Sequence, residues 1–125
     1  MILDTNALSA WADGLPSIKQ RLESAARLVL PTVVLGEYFF GILQSRYERR
    51  YQQWLVENLP TVEVAAIEQT TAQEYARIRV ELKQQATPIP ANDAWIAAVA
   101  REYNLPVLSN DTHFDVISGL QRVGF

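Results

Sequence analysis

The chain has no cysteine, which excludes disulfides and thiolate–metal sites. Lysine is scarce: of eleven basic residues only Lys19 and Lys83 are lysines. The rest are arginine, whose planar fork suits bidentate contacts with phosphate or carboxylate. No apolar run approaches the length needed to cross a bilayer. Nothing resembles a signal peptide, because Asp4 interrupts the first apolar stretch and no basic flank precedes it. Cytoplasmic residence, with no membrane association, is the expectation. A glycine-rich phosphate loop is missing in both common patterns, so nucleotide-binding enzymes fit poorly. Positive charge is in deficit too, at a net −3. A protein that holds nucleic acid by its general field is usually basic. The two are reconciled if some acids gather around a cation while the arginines gather elsewhere.

What is present, 49% hydrophobic and 20% charged residues over 125 positions, has the balance of one globular domain spanning 1–125. There is no internal repeat, linker or low-complexity segment. Met1-Ile2-Leu3 reads as a minimal buried strand ending at Asp4, followed by a short helix over 7–12. Asp13-Gly14-Leu15-Pro16 is a break. Ser17 suits the cap of a helix to Ala26, and Leu28-Val29-Leu30 is a strand closed by Pro31. Thr32 suits the cap of a helix over 33–44 that is apolar almost all round, which predicts burial on more than one side. Ser45 opens a further helix to about Asn58, and Val62-Glu63-Val64 is a strand. An amphipathic helix covers about 68–85. Asn92 suits the cap of a helix over 93–103, Val107-Leu108-Ser109 is a strand, and Arg122 to Phe125 forms a last edge strand. Short apolar strands alternating with helices predict an α/β fold, with a short parallel sheet and helices on both faces. Sites in such folds lie at the carboxyl ends of the strands.

Four acids stand where solvation alone does not account for them. Asp4 ends a strand, Glu37 lies inside an apolar helix, Asp93 opens a helix and Asp111 follows a strand. A carboxylate on a buried helix must be paired, bind a cation, or be protonated. Taken singly, each has a plain structural explanation. Asp4 suits a helix cap, Asp93 suits the positive end of a helix, Asp111 suits a turn, and Glu37 suits a salt bridge to an arginine. Taken jointly, converging carboxylates are the donor set of metal-assisted phosphodiester hydrolysis, which hard divalent cations such as magnesium serve.

Four segments in series carry a family resemblance. Asp4-Thr5-Asn6, Pro31 to Glu37 with Tyr38 to Gly41 following, Pro88 to Asp93 with Trp95 to Ala98, and Leu108 to Phe114 resemble the successive motifs of bacterial PIN-domain toxins of the VapC type. The resemblance spans nearly the whole chain. It implies a PIN-like fold, a ribonuclease activity dependent on magnesium or manganese, and inhibition by a cognate antitoxin protein. Carried over by position, Asp4, Glu37 and Asp93 match the central acids and Asp111 the fourth, with Asp115 as competitor for that role. Thr5, Asn6 and Ser109 resemble groups that orient carboxylates or a metal-bound water.

His113, the only histidine, is expected to be structural beside Phe114. Arg46, Arg49 and Arg50 place two guanidinium groups at i, i+4 on one helical face, as a solvated surface or as a rim for RNA phosphate or a partner. Trp11, Trp54 and Trp95 are expected as core or interface anchors. The run Tyr38-Phe39-Phe40 exceeds what one helix face can bury, which predicts a covering partner, a second copy in a homodimer or an antitoxin segment. Two rival functions remain. A receiver-type signalling domain would need a lysine near the acids, and neither lysine sits at a strand end. A non-catalytic RNA- or protein-binding module on the same fold would be expected to have lost a central acid, and this chain keeps them all.

Overall fold

Five short strands, Ile2–Leu3 (β1), Val29–Pro31 (β2), Glu63–Ala65 (β3), Val107–Leu108 (β4) and Arg122–Val123 (β5), form one sheet in the order β3-β2-β1-β4-β5. Every adjacent pair is parallel. The computed structural model describes all residues, 1–125. Ile2, Leu3, Val29, Leu30, Val107 and Leu108 have no exposed surface, as central strands covered on both faces require. The edges differ: Glu63 and Val64 of β3 are exposed, and β5 is half-buried.

Chain direction decides where the helices go. Thr5–Ala12 (α1) and Pro16–Ser24 (α2) link β1 to β2, and Thr32–Leu43 (α3) and Glu48–Asn58 (α4) link β2 to β3, each step moving the same way along the sheet. Gln69–Gln84 (α5) and Ala91–Tyr103 (α6) then carry the chain back past β2 and β1 to β4. Crossovers of one hand that reverse direction put their helices on opposite faces. Between β1 and β4 the strand order switches, and the carboxyl ends there open a crevice.

Packing follows the sequence pattern. Ile18, Val34, Ile78, Ile96, Val99 and Phe114 are buried to 1% exposure or less against the strands. Trp11 of α1 meets Trp54 of α4 edge-on at 5.0 Å between ring centroids, and Tyr75 of α5 stacks on Trp95 of α6 at 3.7 Å. These pairs bear out the tryptophans as anchors between helices. No helix is long and apolar enough to cross a membrane.

Several boundaries differ from the sequence reading, for local reasons. Prolines rather than polar caps open three helices: Pro16 is the first residue of α2, and Pro31 and Pro90 stand just before α3 and α6. Fixed φ pre-orients the first turn without a side-chain cap. Thr32 and Asn92 therefore lie inside the helices they were expected to cap, and Asp93 is in the first turn of α6. Residues 44–47 form a turn instead of continuing into α4. Arg46 lies in that turn, so it does not share a helical face with Arg50 as expected. Helix α3 is also less covered than its composition predicts: Val34, Tyr38 and Ile42 are buried, while Phe40 is 71% and Leu43 61% exposed.

Candidate functional site

The crevice at the switch point gathers acids from four elements. Asp4 follows β1 directly and is only 4% exposed. Its backbone is extended, which makes it the cap of α1, and its Oδ1 accepts the Ala7 N–H at 2.8 Å. The other oxygen, Oδ2, accepts the hydroxyl of Ser109, which follows β4 and is fully buried. The cap reading of Asp4 is thus correct and incomplete, since the same carboxylate also faces the charges of Asp93 and Asp111. Burial pushes the Asp4 carboxyl above its usual range. The Ser109 hydroxyl and Ala7 amide pull it back, and the two neighbouring carboxylates push it up again.

Asp111 caps the turn Thr112–Val116 that leaves β4. Its carboxylate accepts the His113 N–H at 2.9 Å, and its own N–H donates to Ser109 Oγ at 2.9 Å. Ser109 therefore touches both Asp4 and Asp111. Asp93, on the first turn of α6, brings Oδ2 to 2.9 Å from His113 Nδ1, and the same nitrogen is 3.1 Å from Asp111 Oδ1. The hydrogen bond to Asp93, joined by the charges of both carboxylates, holds the imidazole above its usual pKa. One donor atom each from Asp93, Asp111 and His113 lies within 4.8 Å of the others.

Glu37 reaches the same region from α3. Burial raises its carboxyl above the usual range and the Asp93 charge adds to this, while Thr5 and Asn92 nearby favour the charged form. Those neighbours leave Oε1 unsatisfied: it is buried with no hydrogen-bond partner, as is Thr5 Oγ1. The arginine salt bridge that would explain Glu37 structurally is absent, and no arginine or lysine pairs with Asp4, Glu37, Asp93 or Asp111. Negative charge is thus gathered in a crevice where the imidazole is the one cationic group in direct contact, with Arg122, itself paired to Asp115, acting on Asp111 from the β5 side.

Not every expected residue joins the crevice. Asn6 is exposed on α1 and hydrogen-bonds to none of the acids. Asp115 is held by Arg122 at 2.8 and 3.0 Å, in a pair at the β5 edge. Arg46, Arg49 and Arg50 are exposed and make no salt bridge. His113 is the residue the sequence reading places in a structural role, apart from the acids. Phe114 beside it is fully buried, as expected, but the imidazole points the other way, to Asp93 and Asp111. Its place two residues after Asp111, in the turn leaving β4, was the available signal.

A donor set of carboxylates with one imidazole, an orphaned buried carboxylate oxygen and no ammonium or guanidinium bonded to the acids fits a hard divalent cation.

The chain is similar to known proteins over nearly its whole length. Ribonuclease VapC5 of Mycobacterium tuberculosis is 29% identical over 98% of this chain and 90% of its own length. The tRNA(fMet)-specific endonuclease VapC of Shigella flexneri is 26% identical over 96% of this chain and 93% of its own. Among solved structures, VapBC2 from Rickettsia felis bound to a DNA fragment from its promoter superposes with a TM-score of 0.91 at 25% identity, covering 99% of this chain and 97% of that one. The sequence pattern of the PIN domain matches residues 1–120, a span that includes every acid of the crevice, and the chain belongs to the PIN-domain family.

Proposed function

We propose that the protein is a metal-dependent endoribonuclease, the toxin of a toxin–antitoxin pair, and that Asp4, Glu37, Asp93 and Asp111 are its working acids. The observation that carries this reading is the crevice itself. Carboxylates from β1, α3, α6 and the β4 exit converge with no arginine or lysine paired to them and a single imidazole, on Asp93 and Asp111, as basic partner, and one buried oxygen of Glu37 is left unsatisfied. Such an arrangement is costly unless a cation completes it. Relatives named as ribonucleases and as an endonuclease support the reaction class, and a structural relative solved as a VapBC complex supports an antitoxin partner.

Asp4, Glu37, Asp93 and Asp111 would hold the ion, magnesium or manganese, with His113 able to join them. When bound, such an ion supplies Lewis-acid stabilisation of a phosphodiester and eases deprotonation of a water. The chain's own contribution is placement. Ser109 fixes the Asp4 carboxylate and, through the Asp111 amide, the turn that carries Asp111. Thr5 lies beside Glu37, where it favours the charged carboxylate that a cation needs. Arg46, Arg49 and Arg50 offer unpaired guanidinium groups for phosphates further along the strand. The exposed Phe39, Phe40 and Leu43 of α3 suit burial by a second copy, giving a homodimer, or by the antitoxin. Cellular RNA as substrate puts the work in the cytoplasm.

The test is cleavage of total RNA with and without magnesium or manganese, with Asp93→Asn as control. Cleavage that needs the ion and disappears in the variant is expected. Equal cleavage by the variant, or cleavage in excess chelator, would refute the assignment.

A further inference from the structure

A cleft of about 240 Å³ runs from the acids between α1 and α3 to the turn before α4. Thr5 and Glu37 line its inner end, and Ser45 and Tyr51 its outer end. We propose that this cleft is a nucleobase subsite, receiving the base next to the scissile phosphate. The proposal rests on the nuclease reading and adds to it a specificity-determining site.

The volume admits a base-sized ring, and the lining chemistry favours one with polar edges. The space is many times the roughly 30 Å³ that one water occupies, so a single bridging solvent molecule does not explain it. Tyr38 is 4% exposed and lines the cleft, and its hydroxyl is buried with no hydrogen-bond partner. A buried hydroxyl without a partner is costly, and a ligand that supplies one is favoured. Tyr51 gives an aromatic wall, fixed by the bond from its hydroxyl to Asp13 Oδ1 at 2.9 Å. Aromatic walls of this kind stack bases. Asp13 keeps its second oxygen free to accept from a base N–H.

Charge separates a nucleic-acid strand from other occupants. Asp13 and Glu37 inside the cleft repel an anion, so a phosphate or an acidic side chain is disfavoured there. Arg46, Arg49 and Arg50 at the outer end have no carboxylate partners and repel a cationic peptide. A strand whose phosphates lie on the arginines, whose base enters the cleft and whose next phosphate reaches the acids meets each charge with its complement.

Gly41 allows a clean test. It lines the cleft, and a Cβ built on it meets nothing within 4 Å. Gly41→Leu plugs the space while improving helix propensity, so loss of folding is not the expected result. Two readings are taken on wild type and variant: binding of a short fluorescein-labelled mixed-sequence RNA by anisotropy in chelator, and manganese-dependent cleavage of RNA relative to hydrolysis of bis(p-nitrophenyl) phosphate, which carries no base. We expect RNA binding to weaken, and the RNA-to-ester rate ratio to fall, by about tenfold or more. Mapped cleavage sites should show a base preference at one flanking position, and the variant should lose that preference. Unchanged binding, rate ratio and site preference would overturn the subsite. Wild type that binds RNA in a Gly41-sensitive way but cleaves neither substrate would keep the subsite and remove the nuclease reading.

Discussion

Ser109 and Asp4 are joined by a hydrogen bond across most of the length of the chain, and both are buried at the switch between β4 and β1. The bond does two things at once. It ties the ends of the two central strands, and it favours the charged form of a carboxylate that burial would otherwise neutralise. Ser109→Ala removes the donor without changing shape appreciably, and it also frees the Asp111 amide that donates to Ser109 Oγ. A hydrogen bond to a buried charged group contributes about 1.5–3 kcal/mol. We expect Ser109→Ala to lose stability of that order in urea unfolding at neutral pH without divalent ions. A variant as stable as wild type would show that the bond does not hold the strand ends together.

Divalent ions should stabilise the fold, because the acids converge only in the native state. An ion at one hundred times its Kd adds about 2.7 kcal/mol. Melting temperature should therefore climb with manganese or magnesium concentration. Asp93→Asn should lose most of the response. Without metal two changes oppose each other, relief of the charge that faces Asp4 and Glu37 and loss of the charged partner of His113, so the variant should melt close to wild type. Equal metal-induced shifts in the two proteins would take Asp93 out of the binding set.

Much of this site was legible beforehand because strand ends and helix starts are marked by local chemistry. A break from apolar to acidic residues locates Asp4 and Asp111, and the crevice follows from parallel topology. What was not legible depends on direction. His113 was expected to be structural beside Phe114, and only the path of the turn Thr112–Val116 decides that Phe114 goes inward and His113 toward Asp93. Asn6 looks equivalent to Thr5 in the motif, yet the first turn of α1 leaves it exposed while the Thr5 hydroxyl is buried. Helix caps misled for a related reason: Pro31 and Pro90 set the entry angle, so Thr32 and Asn92 were not needed as caps. The burial of α3 was overestimated because composition reports how apolar a helix is but not whether a neighbour covers it.

Away from the site, Arg101 ties α6 to α5 through Glu81, at 2.7 Å, and Glu74, at 3.2 Å. The guanidinium holds the Glu81 carboxyl below its ordinary value of 4.5. A carboxyl depressed in the folded state contributes stability that is present above the ordinary value and lost as pH falls through the depressed one. Glu81 is about one-third exposed, so the contribution is discounted to about 0.5–1 kcal/mol. Glu81→Gln should melt roughly 2–4 °C lower at neutral pH. The gap to wild type should close as the pH drops well below 4.5. A gap independent of pH would mean that the pair acts through packing rather than charge.

Two helices end on the same motif with different residues, which gives a paired prediction. At the end of α6, Asn104 adopts φ 53°, and Leu105 N–H bonds to Ala100 O while Asn104 N–H bonds to Arg101 O. At the end of α5, Ala86 adopts φ 55°, with Thr87 N–H bonded to Leu82 O and Ala86 N–H to Lys83 O. Both are left-handed closures, which asparagine tolerates and alanine resists, at a cost of about 1–2 kcal/mol for a residue with a Cβ. Glycine at position 86 removes that strain but gains freedom in the unfolded chain, so the net gain is smaller. Ala86→Gly should raise stability by about 0.5–1 kcal/mol, and Asn104→Ala should lower it by a similar amount. Urea unfolding of the two variants checks both signs. If Ala86→Gly is destabilising, the bonds closing α5 are formed without strain, and the left-handed turn is not what limits that end of the helix.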